Sequence, residues 1–175
     1  MAQLTPMMQQ YMEIKQKYPD AILFYRLGDF YEMFFDDALL ASRELELTLT
    51  GRDCGLKERA PMCGVPYNAA DAYIARLIER GHKVAICEQT EDPAQAKGLV
   101  KREVVRVVTP GTVSDYGSLH ERDNNFLCAV YFTGKRAGLA FCDVTTGELY
   151  VTALEDAARD LRSVLSARRP SEILT

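Results

Sequence analysis

The stretch richest in reactive and recognition side chains runs from Tyr25 to Asp37, YRLGDFYEMFFDD. It sets five aromatics (Tyr25, Phe30, Tyr31, Phe34, Phe35) beside four carboxylates (Asp29, Glu32, Asp36, Asp37). Three kinds of chemistry fit such a run. As a capped helix, Asp29 would accept from backbone N–H groups at the helix start and Glu32 would reach back from three residues on, with the aromatics as core. As a metal site, Asp29, Glu32 and Asp36 would share a helix face at i, i+3 and i+7 and could hold Mg²⁺ for phosphodiester hydrolysis. Hard-metal sites usually gather ligands from separated elements, however, and no lysine follows at a catalytic spacing. As a binding wedge, Phe30 would project just after Gly28 and enter a base stack. Inserting an apolar ring unstacks and kinks DNA at a cost of a few kcal/mol, least where pairing is already faulty. Glu32, two residues on, could then bond to an edge of the disturbed base. A carboxylate repels phosphates, so it penalises well-paired DNA more than DNA that offers it a donor.

Other candidates are more dispersed. Arg52, Lys57, Arg59, Lys101, Arg102 and Arg106 could meet phosphates, although exposed basic residues are usually just solvated. Met62, between Pro61 and Gly64, reads equally as a gap-filling core methionine. Asp143, Glu155 and Asp156 are carboxylates near a strand end and a helix start. They suit a turn cap and a helix N-terminus better than catalysis. The five cysteines (Cys54, Cys63, Cys87, Cys128, Cys142) form no C-x-x-C, and two histidines cannot complete a zinc set. They read as reduced thiols in or near a core.

The elements that would position these residues can be read from periodicity. Thr5-Pro6 opens a helix over 5–18, with Met8, Tyr11, Met12 and Ile14 at helical spacing. Residues 21–27 (AILFYRL) form a strand, Gly28 breaks it, and Asp29 opens a long helix to about Glu46. Leu47–Thr50 is a short strand candidate, 51–60 a surface loop, and Pro61–Pro66 an extended stretch. Asn68 caps a helix with Asp71 as its partner; Tyr73, Ile74, Leu77 and Ile78 form its buried face and Gly81 its stop. Strands follow at Lys83–Glu88 and Glu103–Thr109, separated by a loop or short helix over 90–99. The polar, turn-rich 110–124 is a boundary. Beyond it come strands at Phe126–Phe132, Gly138–Val144 and Glu148–Leu154, with turns at Thr133–Arg136 and Thr145–Gly147. A helix over Glu155–Ala167 follows, with Ala158, Leu161, Val164 and Leu165 on one side. EILT then begins another strand. A strand starting at the last residues of a β-β-β-α run gives the expectation of a chain cut inside a domain.

At 175 residues and 47% hydrophobic the chain is one domain or two small ones, and wholesale disorder is excluded. With 21 Lys+Arg against 25 Asp+Glu the net charge is −4, which weighs against a sequence-indifferent nucleic-acid binder relying on many phosphate contacts. No apolar run approaches the ~18–20 residues of a membrane span, and the N-terminal residues lack a signal-peptide layout. The expectation is a cytoplasmic protein with no membrane partner.

Several motifs occurring in order resemble the MutS family of DNA mismatch repair proteins. Gly28-Asp29-Phe30-Tyr31-Glu32 resembles its Phe-x-Glu motif, and Thr5–Tyr11 (TPMMQQY) its opening helix. Phe24–Leu27, Pro61–Tyr67 (PMCGVPY), Val84–Gln89 (VAICEQ) and Val107–Thr112 (VVTPGT) match further blocks. The resemblance implies an α/β architecture. Residues 1–115 would be a mismatch-recognition domain, a mixed sheet flanked by helices. Residues 116–124 would be a linker, and 125–175 the start of a connector domain with an RNase H-like fold. It implies that Phe30 enters the minor groove and stacks on a mispaired or unpaired base while Glu32 hydrogen-bonds to that base. Met62 would lie in a loop near the groove. DNA-binding residues would be Phe30, Glu32, Met62, Arg52, Lys57, Arg59 and Arg106, with no catalytic residue in this chain. For the full-length protein the resemblance implies a homodimer on mismatched double-stranded DNA, downstream mismatch repair partners, and ATP and Mg²⁺ in an ATPase domain. No G-x-x-x-x-G-K-[ST] phosphate loop occurs in these 175 residues.

Overall fold

The computed structural model describes residues 3–91, 96, 98–112 and 125–175. The chain divides into two compact units, Met1–Val108 and Thr109–Thr175. The expected linker at 116–124 and residues 92–95 and 97 of the expected loop at 90–99 lie outside the described residues.

The first unit is a six-stranded mixed sheet with helices on it. Its elements are α1 (Pro6–Lys17), β1 (Ala21–Leu27), β2 (Phe30–Phe34), α2 (Phe35–Leu45), β3 (Thr50–Arg52), β4 (Ala60–Pro66), a 3₁₀ turn at Tyr67–Ala69, α3 (Ala70–Glu79), β5 (Lys83–Gln89) and β6 (Arg102–Val108). The spatial order is β3-β4-β2-β1-β5-β6. The β1–β5 pair is parallel and the other pairs are antiparallel. Pro6 starts α1 because a proline in the first turn forfeits no intrahelical hydrogen bond. Met8, Tyr11 and Ile14 of α1 bury one face of the sheet, against Leu23, Tyr25, Phe34, Ala85 and Cys87. The other face carries Phe24, Met33, Cys63, Val65 and Val84. The Cys63 thiol donates to the Ala38 carbonyl of α2, which fixes that helix on this second face.

Two expectations are corrected here. The helix from Asp29 to Glu46 begins only at Phe35, because residues 30–34 continue the sheet as β2. Phe35, with φ 53, swings the chain directly from strand into helix. Asn68 makes no capping hydrogen bond and sits in the 3₁₀ turn before α3. Gly81 does stop α3: at φ 82, its N–H donates to Ile78 O and the following N–H to Leu77 O, a Schellman-type close.

Asp37 is a structural member of the aromatic–acidic segment. It is buried, paired with Lys15 at 2.9 Å, and accepts from Tyr11 Oη (3.1 Å) and Leu23 N (3.0 Å). It thereby ties α1, β1 and α2 together. Burial, with the Asp37 charge beside it, pushes the Tyr11 phenol far above its ordinary range.

The second unit contains β7 (Phe126–Thr133), β8 (Arg136–Asp143), β9 (Glu148–Leu154), α4 (Ala157–Arg168) and β10 (Glu172–Leu174). Its sheet order is β10-β7-β8-β9: an antiparallel meander, then a strand returning parallel to β7. α4 packs on one face, over Phe126, Cys128, Val130, Leu139 and Phe141. Asp156 caps α4 by accepting from Arg159 N. Ala157 takes the buried position expected of Ala158, which is exposed. Asp143 closes the β8–β9 turn, accepting from Thr145 N, Thr145 Oγ1 and Thr146 N. Two mixed α/β units of this kind agree with the fold class read from the sequence.

Candidate nucleic-acid interface

The candidate site is built on the β1–β2 hairpin. Leu27 stands opposite Phe30, so only Gly28 and Asp29 make the connection. A two-residue hairpin turn with positive φ at its first position calls for glycine, and Gly28 has φ 56. Both turn carbonyls are held. Arg26 Nε donates to Gly28 O at 2.6 Å, and Tyr67 N donates to Asp29 O at 2.9 Å. The Arg26 guanidinium also lies 3.7 Å from the centroid of the Tyr67 ring. Next to it, Tyr31 Oη donates to the Glu88 carboxylate; burial, reinforced by that carboxylate, drives its phenol pKa well up.

Along β2 the side chains alternate. Phe30, Glu32 and Phe34 share one face, and Tyr31 and Met33 the other. Phe34 is covered by α1, its ring 5.0 Å from that of Tyr11. Nearer the turn the same face opens: Phe30 is 46% exposed. Glu32 stands between Tyr25 of β1 and Gly64 of β4 in the ladder. Gly64 leaves room for it, since a Cβ there would lie 3.4 Å from Glu32 Cγ and 3.1 Å from Tyr31 O. Glu32 Oε2 accepts from Arg52 Nη1 at 2.6 Å.

The three-carboxylate metal reading does not survive this arrangement. Asp29 lies in the turn, Glu32 in the strand and Asp36 in the first turn of α2, so the helical i, i+3, i+7 spacing does not exist. Among the described residues no group of three His, Cys, Asp or Glu side chains could hold a metal ion.

The alignment of the chain with known families is decisive. MutS domain I matches residues 5–117, and MutS domain II matches residues 125–175. The chain belongs to the MutS family. It is 63% identical over 176 aligned residues to the DNA mismatch repair protein MutS of Ruminiclostridium cellulolyticum, covering 99% of this chain and 20% of that protein. It is 61% identical to MutS of Acetivibrio thermocellus, with the same coverage. With MutS of Lachnoclostridium phytofermentans it shares 60% identity over 99% of this chain and 19% of that protein. The chain thus spans about a fifth of the length of the curated MutS proteins it matches.

Of the residues singled out in the sequence, the fold gathers Phe30, Glu32, Arg52 and Met62 on one face of the first sheet. Met62 pairs with Phe34 and Thr50, two residues from Gly64, and is partly buried against the core under α1. Lys57 and Arg59 are exposed in the loop between β3 and β4. Arg106 is opposite Ile86 on β6, three strands from β2 and on the other face. Lys101 pairs with Glu103 at 2.7 Å. Arg102 is buried: it donates to Arg26 O, Gln10 Oε1 and Val100 O, and its guanidinium lies over the Tyr25 ring, so it serves the interior. The sequence reading missed what Arg26, Tyr67 and Gly64 do around the hairpin. Gly28-Asp29 between two apolar, aromatic runs is itself a two-residue turn signal that identifies the hairpin. The Arg52–Glu32 contact crosses β4 and has no local signature.

Proposed function

We propose that this chain is the mismatch-reading part of a MutS protein that binds mismatched double-stranded DNA. In this reading residues 1–115 form the recognition domain and 125–175 the start of the connector. Phe30 enters from the minor groove and stacks on a mispaired or unpaired base, and Glu32 hydrogen-bonds to that base. Lys57 and Arg59, on the exposed β3–β4 loop, contact phosphates. The full-length protein acts in the cytoplasm as a homodimer with downstream repair partners, and its ATP and Mg²⁺ are held by domains outside this chain, which itself carries no catalysis.

The observation that carries this reading is that the Phe-x-Glu pair lies on a strand. Residues i and i+2 of a strand project from the same face about 6.8 Å apart. In a helix they would diverge by about 200°. One exposed ring and one carboxylate on the same open surface can address a single base together.

The test is duplex binding by a full-length MutS carrying these residues. Base–aromatic stacking is worth about 1–3 kcal/mol. Phe30→Ala is therefore expected to cut the preference for a mismatched over a matched duplex by about ten-fold or more. Glu32→Gln is expected to bind matched DNA at least as well as the unaltered protein while losing preference. Full preference in Phe30→Ala would refute the wedge.

A further inference from the structure

Arg52 looks at first like a phosphate contact: a basic residue on a short edge strand beside an exposed loop. Its position also gives it a partner within the sheet. Arg52 is opposite Ala60 on β4, which puts its side chain on the same face as Met62, Gly64 and Glu32. Its guanidinium crosses β4 to donate from Nη1 to Glu32 Oε2 at 2.6 Å. Among the described residues it is the one side chain that hydrogen-bonds to this carboxylate.

The environments of the two partners differ. The Glu32 side chain is 16% exposed and that of Arg52 40%. With the Arg52 end open to water, the pair adds little to stability, because solvent screens it and two side chains must be held still. Orientation is another matter. A carboxylate that can rotate presents its two oxygens indiscriminately. One tied at Oε2 by a guanidinium has its plane fixed and leaves Oε1 for a second donor. The missing Cβ at Gly64 lets the Glu32 side chain lie close over β4, within reach of Arg52.

We propose that Arg52 is a positioning residue for Glu32: it holds Oε2 so that Oε1 faces the displaced base. This rests on the mismatch-reading function proposed above, and the test separates failure of one from failure of the other.

A full-length MutS carrying these residues is titrated with matched duplex, and with duplexes holding one mispair or one unpaired base, at several salt concentrations. The variants are Arg52→Gln, Arg52→Lys, Glu32→Gln and the Arg52→Gln/Glu32→Gln double. Arg52→Gln is expected to lower the mismatched-to-matched affinity ratio about two- to ten-fold, the range for the net contribution of one hydrogen bond. It should have little further effect when Glu32 is already Gln. Arg52→Lys should restore most of the ratio, and the melting temperature and salt slope should stay as they were. Equal weakening on both duplexes, with a salt slope shallower by about 0.9, would make Arg52 a phosphate contact and overturn the proposal. Full additivity in the double variant would also overturn it. If Glu32→Gln and Phe30→Ala leave the ratio untouched, the mismatch-reading function itself fails and there is no carboxylate to position.

Discussion

Gly64→Ala isolates the close approach of β2 and β4 at Glu32. The backbone of Gly64 has no positive φ, so an alanine there is not strained by its own dihedrals. The cost comes from what the new methyl meets: Tyr31 O at 3.1 Å, Glu32 Cγ at 3.4 Å and Glu32 Cα at 3.7 Å. The first neighbour is backbone in the central ladder and yields little. The second is side chain and can rotate. A few tenths of an ångström must therefore come from a small parting of the strands and from displacement of Glu32 off β4. Mild overpacking of this kind costs about 1 kcal/mol, which lowers the melting temperature by about 4 °C. The larger consequence falls on recognition. Glu32 moved off β4 loses its register with Arg52, so the mismatch preference of a full-length MutS carrying Gly64→Ala should fall toward that of Glu32→Gln. Gly138→Ala is the matched control: it too is a strand glycine, but its added Cβ meets nothing within 4 Å. It should be neutral or stabilising by about 0.5 kcal/mol through the unfolded chain. Thermal denaturation and duplex titration of both variants read the two effects. Unchanged melting and unchanged preference in Gly64→Ala would refute the claim that this contact seats Glu32.

Two further outcomes follow from the interior. Burial pushes the Cys63 thiol up to about 11 and the Cys87 thiol up to about 12, and neither is exposed. A disulfide reagent at pH 8 should label the half-exposed Cys142 in the native protein and reach Cys63 and Cys87 only after denaturation; rapid native labelling of those two would contradict the packing under α1 and α2. Burial alone would raise the Asp143 pKa, but hydrogen bonds from Thr145, Thr146 and Asn125 outweigh it and hold the carboxyl below its ordinary value. A carboxyl depressed in the folded state stabilises above its unfolded pKa of about 3.9, and that contribution fades as pH falls through the lower folded value. Acid unfolding of the second unit should therefore steepen below about pH 4, and Asp143→Asn should flatten it while lowering stability at pH 7. Identical acid profiles for the two would refute the role of Asp143.

Much of the scaffold is legible because its signals are local. Thr5-Pro6 marks α1, Gly81 ends α3, and the alternating runs of β7, β8 and β9 carry their own turn residues. Asp143 as a turn closer follows from Thr145-Thr146-Gly147 beside it. β2 escapes because its period is hidden. Tyr31 and Met33 face one layer of core and Phe34 the other, so FYEMF shows no polar–apolar alternation, and the acidic residues around it mimic a capped helix. The register of the hairpin is decided by β4 lying beside β2, about thirty residues on in the chain. The Arg52–Glu32 pair depends on the same long-range pairing, and the internal use of Arg102 on the pairing of β6 with β5 and of β5 with β1. Composition could count their charges but could not assign their partners.

The placement of the hairpin within the sheet bears on what it can do. Opening a base stack costs a few kcal/mol, and the element that pushes must not yield first. An edge hairpin would bend, but β2 is an interior strand with β1 on one side and β4 on the other. Phe30 is opposite Leu27 in one strand and Pro66 in the other, so load on the ring passes into two ladders at once. The turn is held from the opposite face, with Arg26 on Gly28 O and the Tyr67 N–H on Asp29 O. Behind them Phe34 is packed against Tyr11, and Asp37 ties the end of that strand to α1. The rigidity needed at the tip is thus supplied by the core. Under the mismatch-reading function proposed above, this is also how a chain with a net charge of −4 would read DNA. In the proposed function a stiff wedge and an oriented carboxylate would act on the fault in the stack, where affinity depends on the base step and little on the number of phosphates held.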